Sequence, residues 1–257
     1  MNDVRLAVRQ VWYINQAFLR NPASAFFTLV FPLMFLVIFT TIFGSGKTEV
    51  GPGKFVSLST FYVPAIAAFS VITACYTNIA ISLSFSRDSG ALKRIRGAPL
   101  PVWAYMSARI THAVLIAVLL VAICAAFGAI FYGATLPTNT LPAFALTLIV
   151  GAATFCALGV AVTAVIPNAD AAPAVVNASV LPLLFVSNVF IPLHNPPAWL
   201  DLIGKIFPVR HFADALSSSF FQLSGSGLQG NDLLVIGAWG VAGLLIAMRF
   251  FDWEPRI

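Results

Sequence analysis

Apolar residues run through the chain in six long stretches, 26–43, 60–84, 105–131, 142–166, 172–190 and 233–251, with short polar segments between them. A helix rises ~1.5 Å per residue, so ~20 residues cross ~30 Å of hydrocarbon. Each stretch predicts a membrane-spanning helix. The fold class expected is an all-α integral membrane protein with six spans in a single transmembrane domain, residues 1–257.

Three segments outside the spans carry their own pattern. Over residues 1–22, Asn2, Arg5, Arg9, Tyr13, Gln16 and Arg20 fall in one arc at 100° per residue. Val4, Val8, Val11, Trp12, Phe18 and Leu19 lie opposite, with Asn15 out of pattern. This predicts an interfacial helix lying flat among lipid headgroups, its basic face towards phosphates, with Asn21-Pro22 turning the chain into the first span.

Residues 86–98, between spans two and three, predict a short basic helix. Ser86 or Asp88 caps it, Gly97 and Pro99 end it, and Leu92 and Ile95 form an apolar ridge flanked by Lys93, Arg94 and Arg96. Such a ridge on a charged loop suits docking to a partner. Residues 191–231 mix prolines with helical patterns, which predicts one or two short helices dipping into the outer membrane surface before span six.

Composition agrees with the pattern. Hydrophobic residues make up 60% of the chain and charged residues 9%, against about a quarter charged in soluble domains. The net charge of +5 is laid out as topology. Ten basic residues fall at the N-terminus, between spans two and three and at the C-terminus, against Lys47, Lys54, Lys205 and Arg210 on the other side. The excess predicts cytoplasmic termini and contact with membrane lipids, with no sign of nucleic-acid binding. The first apolar run begins too far in for a signal peptide. Cys75, Cys124 and Cys156 each stand alone within a span and read as packing residues.

Candidate chemistry is sparse. Gly44-Ser45-Gly46-Lys47-Thr48 copies the tail of a phosphate-binding loop, but Thr41 stands where its first glycine belongs. A membrane helix precedes it, and Glu49-Val50-Gly51-Pro52-Gly53 cannot open a helix, so a flexible polar loop is expected and no ATP site. His194, Asp201, His211 and Asp214 match no metal-ligand spacing, so no metal is expected, and no nucleophile–base constellation stands out. No Asp, Glu, Lys or Arg lies in the central part of a span. Such residues usually carry proton or sodium coupling, so energy for any uphill movement must enter from outside the bilayer. In span two, Ser70, Thr73, Thr77 and Ser84 fall within about 60° of a helical wheel. Asn177, Leu181, Leu184 and Asn188 do the same in span five. Polar stripes of this kind either join helices or line a cavity.

Taken together, the flat N-terminal helix, six spans, basic helix after span two and proline-punctuated external segment resemble the ABC-2 type transporter permeases over nearly the whole chain. The sharpest resemblance is Arg87–Pro101, RDSGALKRIRGAPLP, similar to the family's acidic-x-Gly-Thr-Leu-Lys-Arg-Leu-Arg-x-Thr-Pro-Leu signature. Asp88 stands near the usual glutamate, Gly90 matches, and Leu92-Lys93-Arg94-Ile95-Arg96 carries the core; Ala91 and Ala98 replace threonines.

The resemblance implies a membrane half of an exporter without an ATPase site of its own. Two permease chains, as homodimer or heterodimer, would pair with two ABC ATPase subunits that hold ATP and Mg. Residues 90–96 would form the coupling helix and residues 1–22 the connecting helix. Spans two and five would line the cargo route, which makes a cavity of the two stripes. Family cargoes include drugs, lipids and polysaccharides. Short loops and the lack of a polar channel favour a hydrophobic or amphiphilic cargo over a polysaccharide or glycolipid. A lipid-modifying membrane enzyme or a non-transporting assembly subunit are the readings from other classes. The location expected is the plasma membrane.

Overall fold

The first helix, α1 (Asp3–Leu19), ends where the Asn21 backbone turns, and Pro22 opens α2 (Pro22–Phe43), a position where a helix needs no N–H. This computed structural model describes residues 3–51, 53–97, 100–192, 196–223 and 225–254. Asn2, Pro52, Ala98, Pro99, His194 and Arg256, used in the sequence reading, lie outside the described residues.

The polar segment after α2 is ordered rather than flexible. β1 (Lys47–Gly51) pairs antiparallel with β2 (Lys54–Ser57), with Thr48 opposite Val56 and Glu49 opposite Phe55. Glu49 Oε1 accepts the Gly53 N–H at 2.9 Å across the turn. The second apolar stretch then becomes one 31-residue rod in three parts: α3 (Leu58–Ile72), a π-helical turn (Thr73–Thr77) and α4 (Asn78–Asp88). Gly90 takes a left-handed conformation (φ 69°) and starts α5 (Ala91–Arg96) at an angle to it.

The remaining helices are α6 (Val102–Tyr132), α7 (Leu141–Val162), α8 (Ala172–Phe185), α9 (Ala198–Ile206), α10 (Pro208–Phe221) and α11 (Gly230–Phe250). Among the described residues, five helices are long and apolar enough to cross a membrane: the α2 region, the α3–α4 rod, α6, α7 and α11. The stretch expected as span five, 172–190, differs. Its helix α8 has 14 residues and covers only ~21 Å. It stops because Val186 leaves helical geometry and Asn188 turns left-handed (φ 57°).

α7 and α11 run parallel: Thr154 Oγ1 donates to Ile236 O at 3.0 Å, and Gly243, further along α11, lies against Leu158. The chain between them must therefore return to the side from which α7 began. α8 and residues 186–190 make that return. α9 and α10 follow as a helical hairpin whose corner, Phe207-Pro208, meets α11 halfway along. Phe207 stacks on Trp239 at 5.4 Å, and Trp239 Nε1 donates to Ile206 O at 2.7 Å. Trp239 stands nine residues into α11, ~14 Å from its start. α10 then climbs antiparallel to α7, past Phe155 against Phe212 to Thr140, which donates to Ser219 O.

Lipid tails are as apolar as leucine, so close packing has to hold such a bundle. The α3 segment is its centre, with Tyr62, Val63, Ile66, Ala68 and Val71 buried. Gly159 lets α7 come against the π-helical turn: a Cβ there would lie 2.8 Å from Tyr76 O and 2.9 Å from Cys75 O. Phe35, Phe39, Tyr62 and Phe190 stack at 5.1–5.7 Å, and Tyr62 Oη donates to Phe190 O at 3.2 Å, which fixes the end of the α8 segment to α2 and α3.

Candidate functional site

At the end of the α3–α4 rod, Asp88 does not cap the next helix, and Arg87 and Asp88 are both held by the bundle. Arg87 is 2% exposed. Its guanidinium donates to Thr163 O (3.2 Å), Ile166 O (2.9 Å), Pro167 O (3.3 Å) and Asp88 Oδ1 (3.0 Å). Asp88 Oδ2 accepts the Ala169 N–H. The pair staples the α7–α8 connection to the base of α4, one turn of chain before α5. Ser86 is also no cap: its hydroxyl donates to Ser82 O and accepts from Arg109, both at 2.7 Å.

α5 therefore starts later than expected, at Ala91, and its ridge points inward. Leu92 is 0% exposed, packed in this chain's own core, and Ile95 packs half-buried against it. Leu92, fully buried in its own bundle, is therefore not available to insert into a partner, whereas Ile95 stays half-exposed. A rod-end helix needs an apolar foot on its own bundle, and these two supply it. What α5 presents outward is Lys93, Arg94 and Arg96, all exposed.

α1 packs along α6 and α2 with Arg5, Arg9, Trp12 and Arg20 exposed. Asn15, out of pattern in the sequence, accounts for the docking: its Oδ1 meets His112 Nδ1 of α6 at 2.7 Å, and Phe18 packs edge-on against the same ring at 5.4 Å.

The two expected stripes are not assembled as drawn. The π-helical turn inserts an extra residue into the rod, so positions before and after it no longer share an ideal wheel. Ser70 is buried and donates to Ile66 O at 2.7 Å, next to Cys124; Ser84 is buried and donates to Ala80 O at 2.9 Å. Thr73 and Thr77 stay half-exposed. On the other side Asn177 and Leu181 are exposed, but Leu184 is buried and Asn188 lies beyond the helix end. The link between rod and α8 is one the stripes missed: Tyr76 Oη and Ser179 Oγ lie 2.6 Å apart. Both border a hollow of about 700 Å³ walled by Phe155, Leu183, Phe207 and Trp239, a mostly apolar space whose lining also carries Arg249 and Asp252.

Towards the β-hairpin end, charged groups gather on α9, α10 and the start of α11. Arg210 reaches Asp201 at 2.7 Å and Asp214 at 3.6 Å, Lys205 reaches Asp201 at 2.6 Å, and His211 Nδ1 meets Asp232 at 2.7 Å. Hydrogen bonds from Lys205 and then Arg210 hold the Asp201 carboxyl below its ordinary pKa. Burial pushes Asp214 up, against the opposing pull of the Asn188 amide at 3.0 Å and of Arg210. Asp201 and Asp214 are taken by cations or an amide and Asp232 by an imidazole, and among the described residues no three His, Cys, Asp or Glu come together as a metal cage.

The phosphate-loop lookalike has the wrong architecture. Gly44-Ser45-Gly46 ends a helix and Lys47 begins a strand, the reverse of the strand–loop–helix that aims N–H groups at phosphates.

These features, a polytopic bundle with a stapled basic helix after its second span and a helical hairpin before its last, define a multi-pass helical membrane domain. Residues 8–221 match the family model described as ABC-2 type transporter, and the chain belongs to that family. It is 29% identical over 246 residues to "Putative transport permease ycf38" of Cyanophora paradoxa, covering 88% of this chain and 82% of that protein. To "Putative transport permease YvfS" of Bacillus subtilis (strain 168) it is 23% identical over 229 residues, 89% of this chain and 90% of that one. To "Probable multidrug ABC transporter permease YbhR" of Escherichia coli (strain K12) it is 22% identical over 162 residues, 63% of this chain and 44% of that one. The protein is accordingly a multi-pass membrane permease subunit of the ABC-2 type.

Proposed function

We propose that this chain is the membrane-crossing half of an ABC exporter that moves a hydrophobic or amphiphilic cargo out of the cell. ATP and Mg are bound and hydrolysed by a separate ATPase subunit, two copies of which serve two permease chains in the plasma membrane. The observation that carries the reading is the α5 surface. Lys93, Arg94 and Arg96 project from a helix whose apolar foot is sunk in the bundle and whose neighbours Arg87 and Asp88 grip the α7–α8 connection. A push on that surface reaches two spans at once. The hollow beside Tyr76 and Ser179 favours a cargo that is mostly apolar, and a relative bears a multidrug name. Six crossings follow if α8 with residues 186–190 completes the return between parallel α7 and α11; both termini then share one side, and the excess of basic residues there makes it the cytoplasmic one.

Two measurements test the reading. Co-expressed with its ATPase and reconstituted in proteoliposomes, the permease should support ATP hydrolysis that rises with an apolar cationic drug or lipid-like cargo; failure to associate with any ATPase-dependent activity overturns it. In a background lacking Cys75, Cys124 and Cys156, Ser45→Cys should react with an impermeant thiol reagent on intact cells and Ser89→Cys only after permeabilisation. The opposite pattern inverts the topology.

A further inference from the structure

Between α1, the α4 part of the rod and α6 lies a cavity of about 420 Å³ that the transport reading does not use. Its apolar wall includes Phe18, Ile79 and Ile116; its polar side includes Arg109, His112, Asn78 and Ser82. Arg109 Nε donates to Tyr105 Oη and Nη2 to Ser86 Oγ, both at 2.7 Å, and the guanidinium lies 5.1 Å from the Tyr105 ring centre. These partners are all neutral. Among the described residues no carboxylate lies within 4.0 Å of Arg109. The neighbouring titratable group is His112, whose Nδ1 is taken by Asn15. The Asn78 side-chain amide, exposed on the same cavity, makes no hydrogen bond among the described residues.

A half-buried guanidinium in a membrane protein needs a counter-anion, because an unpaired charge away from water is costly. This one stands two turns into α6, beside a helix with an amphipathic, basic-faced sequence, at the depth where headgroup meets acyl chain. Free polar donors on one side and a branched apolar wall on the other match one chemistry: a phosphodiester headgroup with its acyl chains still attached. We propose that this cavity binds the headgroup of an anionic glycerophospholipid from the leaflet on which α1 lies. Arg109 pairs with the phosphate, Asn78 donates to it, and the first acyl segments lie along Phe18 and Ile116. The lipid then acts as a ligand that ties α1 to the rod. Basic pockets between transmembrane helices are a known way of holding such headgroups.

The test uses the purified full-length permease in a neutral detergent, with dioleoylphosphatidylglycerol, dioleoylphosphatidylcholine and inorganic phosphate as separate probes. Native mass spectrometry reads bound lipid and thermal unfolding reads stabilisation. The phosphatidylglycerol should bind and raise the unfolding temperature, and the phosphatidylcholine should bind at least about tenfold more weakly. Arg109→Gln should remove that preference and Arg109→Lys should keep most of it. Asn78→Asp, at an exposed position with no partner to lose, should keep the fold and abolish selective binding, because its carboxylate occupies the place of the phosphate. Phosphatidylglycerol bound to Asn78→Asp as tightly as to the unaltered chain would overturn the proposal. So would equal binding of the two lipids, or stabilisation by inorganic phosphate equal to that by phosphatidylglycerol.

Discussion

Replacing Arg87 by alanine is expected to loosen the junction of α4, α7 and α8 while leaving the spans inserted. The guanidinium makes four hydrogen bonds, three to backbone carbonyls of residues 163–167 and one to Asp88. Breaking a buried ion pair from one side costs about 3–5 kcal/mol, because the other charge stays behind. Two facts place this case at the lower end. The Asp88 side chain is 21% exposed and keeps the Ala169 N–H, and Thr163 O still accepts from the Ile166 N–H at 3.3 Å. A loss of about 3 kcal/mol follows, or ~6–12 °C in unfolding temperature for a chain of this size. Arg87→Lys keeps the charge but not the fork of donors, and should lose about half as much. Thermal unfolding of the purified protein gives the magnitude. Amide hydrogen exchange across residues 163–171 gives the location, and should accelerate there before it does elsewhere. An Arg87→Ala protein that unfolds within ~2 °C of the original, with unchanged exchange in that segment, would refute the staple.

Four further outcomes are expected. Leu92→Asp should fail to yield monodisperse protein, because it buries an unpaired carboxylate; charge reversal of Lys93, Arg94 and Arg96 together should fold normally and weaken ATPase association, an effect that salt mimics in the original protein. Well-folded Leu92→Asp would show that α5 is not seated as described. Gly159→Val should destabilise by about 1–3 kcal/mol through its clash with the Tyr76 and Cys75 carbonyls, and unchanged thermal stability would contradict that contact. Asp201, whose folded pKa is depressed, adds stability that is present above its unfolded value of about 3.9 and is lost as pH falls through the lower folded value. Unfolding temperature should therefore drop more steeply below pH ~4 in the original than in Asp201→Asn, and parallel curves would refute the link.

The apolar pattern made the spans legible because length and hydropathy are local properties of the chain. It also exposed Asn15 as a misfit, and the misfit turned out to be the residue that meets His112. The stapling role of Arg87 was hidden because its partners are backbone carbonyls some 80 positions away, which carry no side-chain signature. An Arg-Asp pair closing an apolar run was the available signal. Leu92 was misread because three flanking charges suggest an exposed loop, whereas burial depends on how Gly90 turns the chain back onto the bundle. The stripes are divided within the chain for a related reason: a wheel at 100° per residue assumes unbroken α-geometry, and nothing in Thr73–Thr77 announces a π-helical turn. Tyr76, one of two tyrosines in that span, was the better guide to the contact with α8.

That turn gives the central span an adjustable gear. It holds one residue more than α-geometry needs, with the Asn78 N–H bonding back to Thr73 O. Shifting the surplus residue by one turn along the helix would rotate the intervening side chains by about 100° while length and bond number stay almost constant. The Tyr76–Ser179 contact and the Gly159 approach both lie within the part that would rotate. A twist applied at α5 could then swing Tyr76 away from α8 without unwinding the rod, converting a push at the membrane surface into a change of which side chains face the hollow.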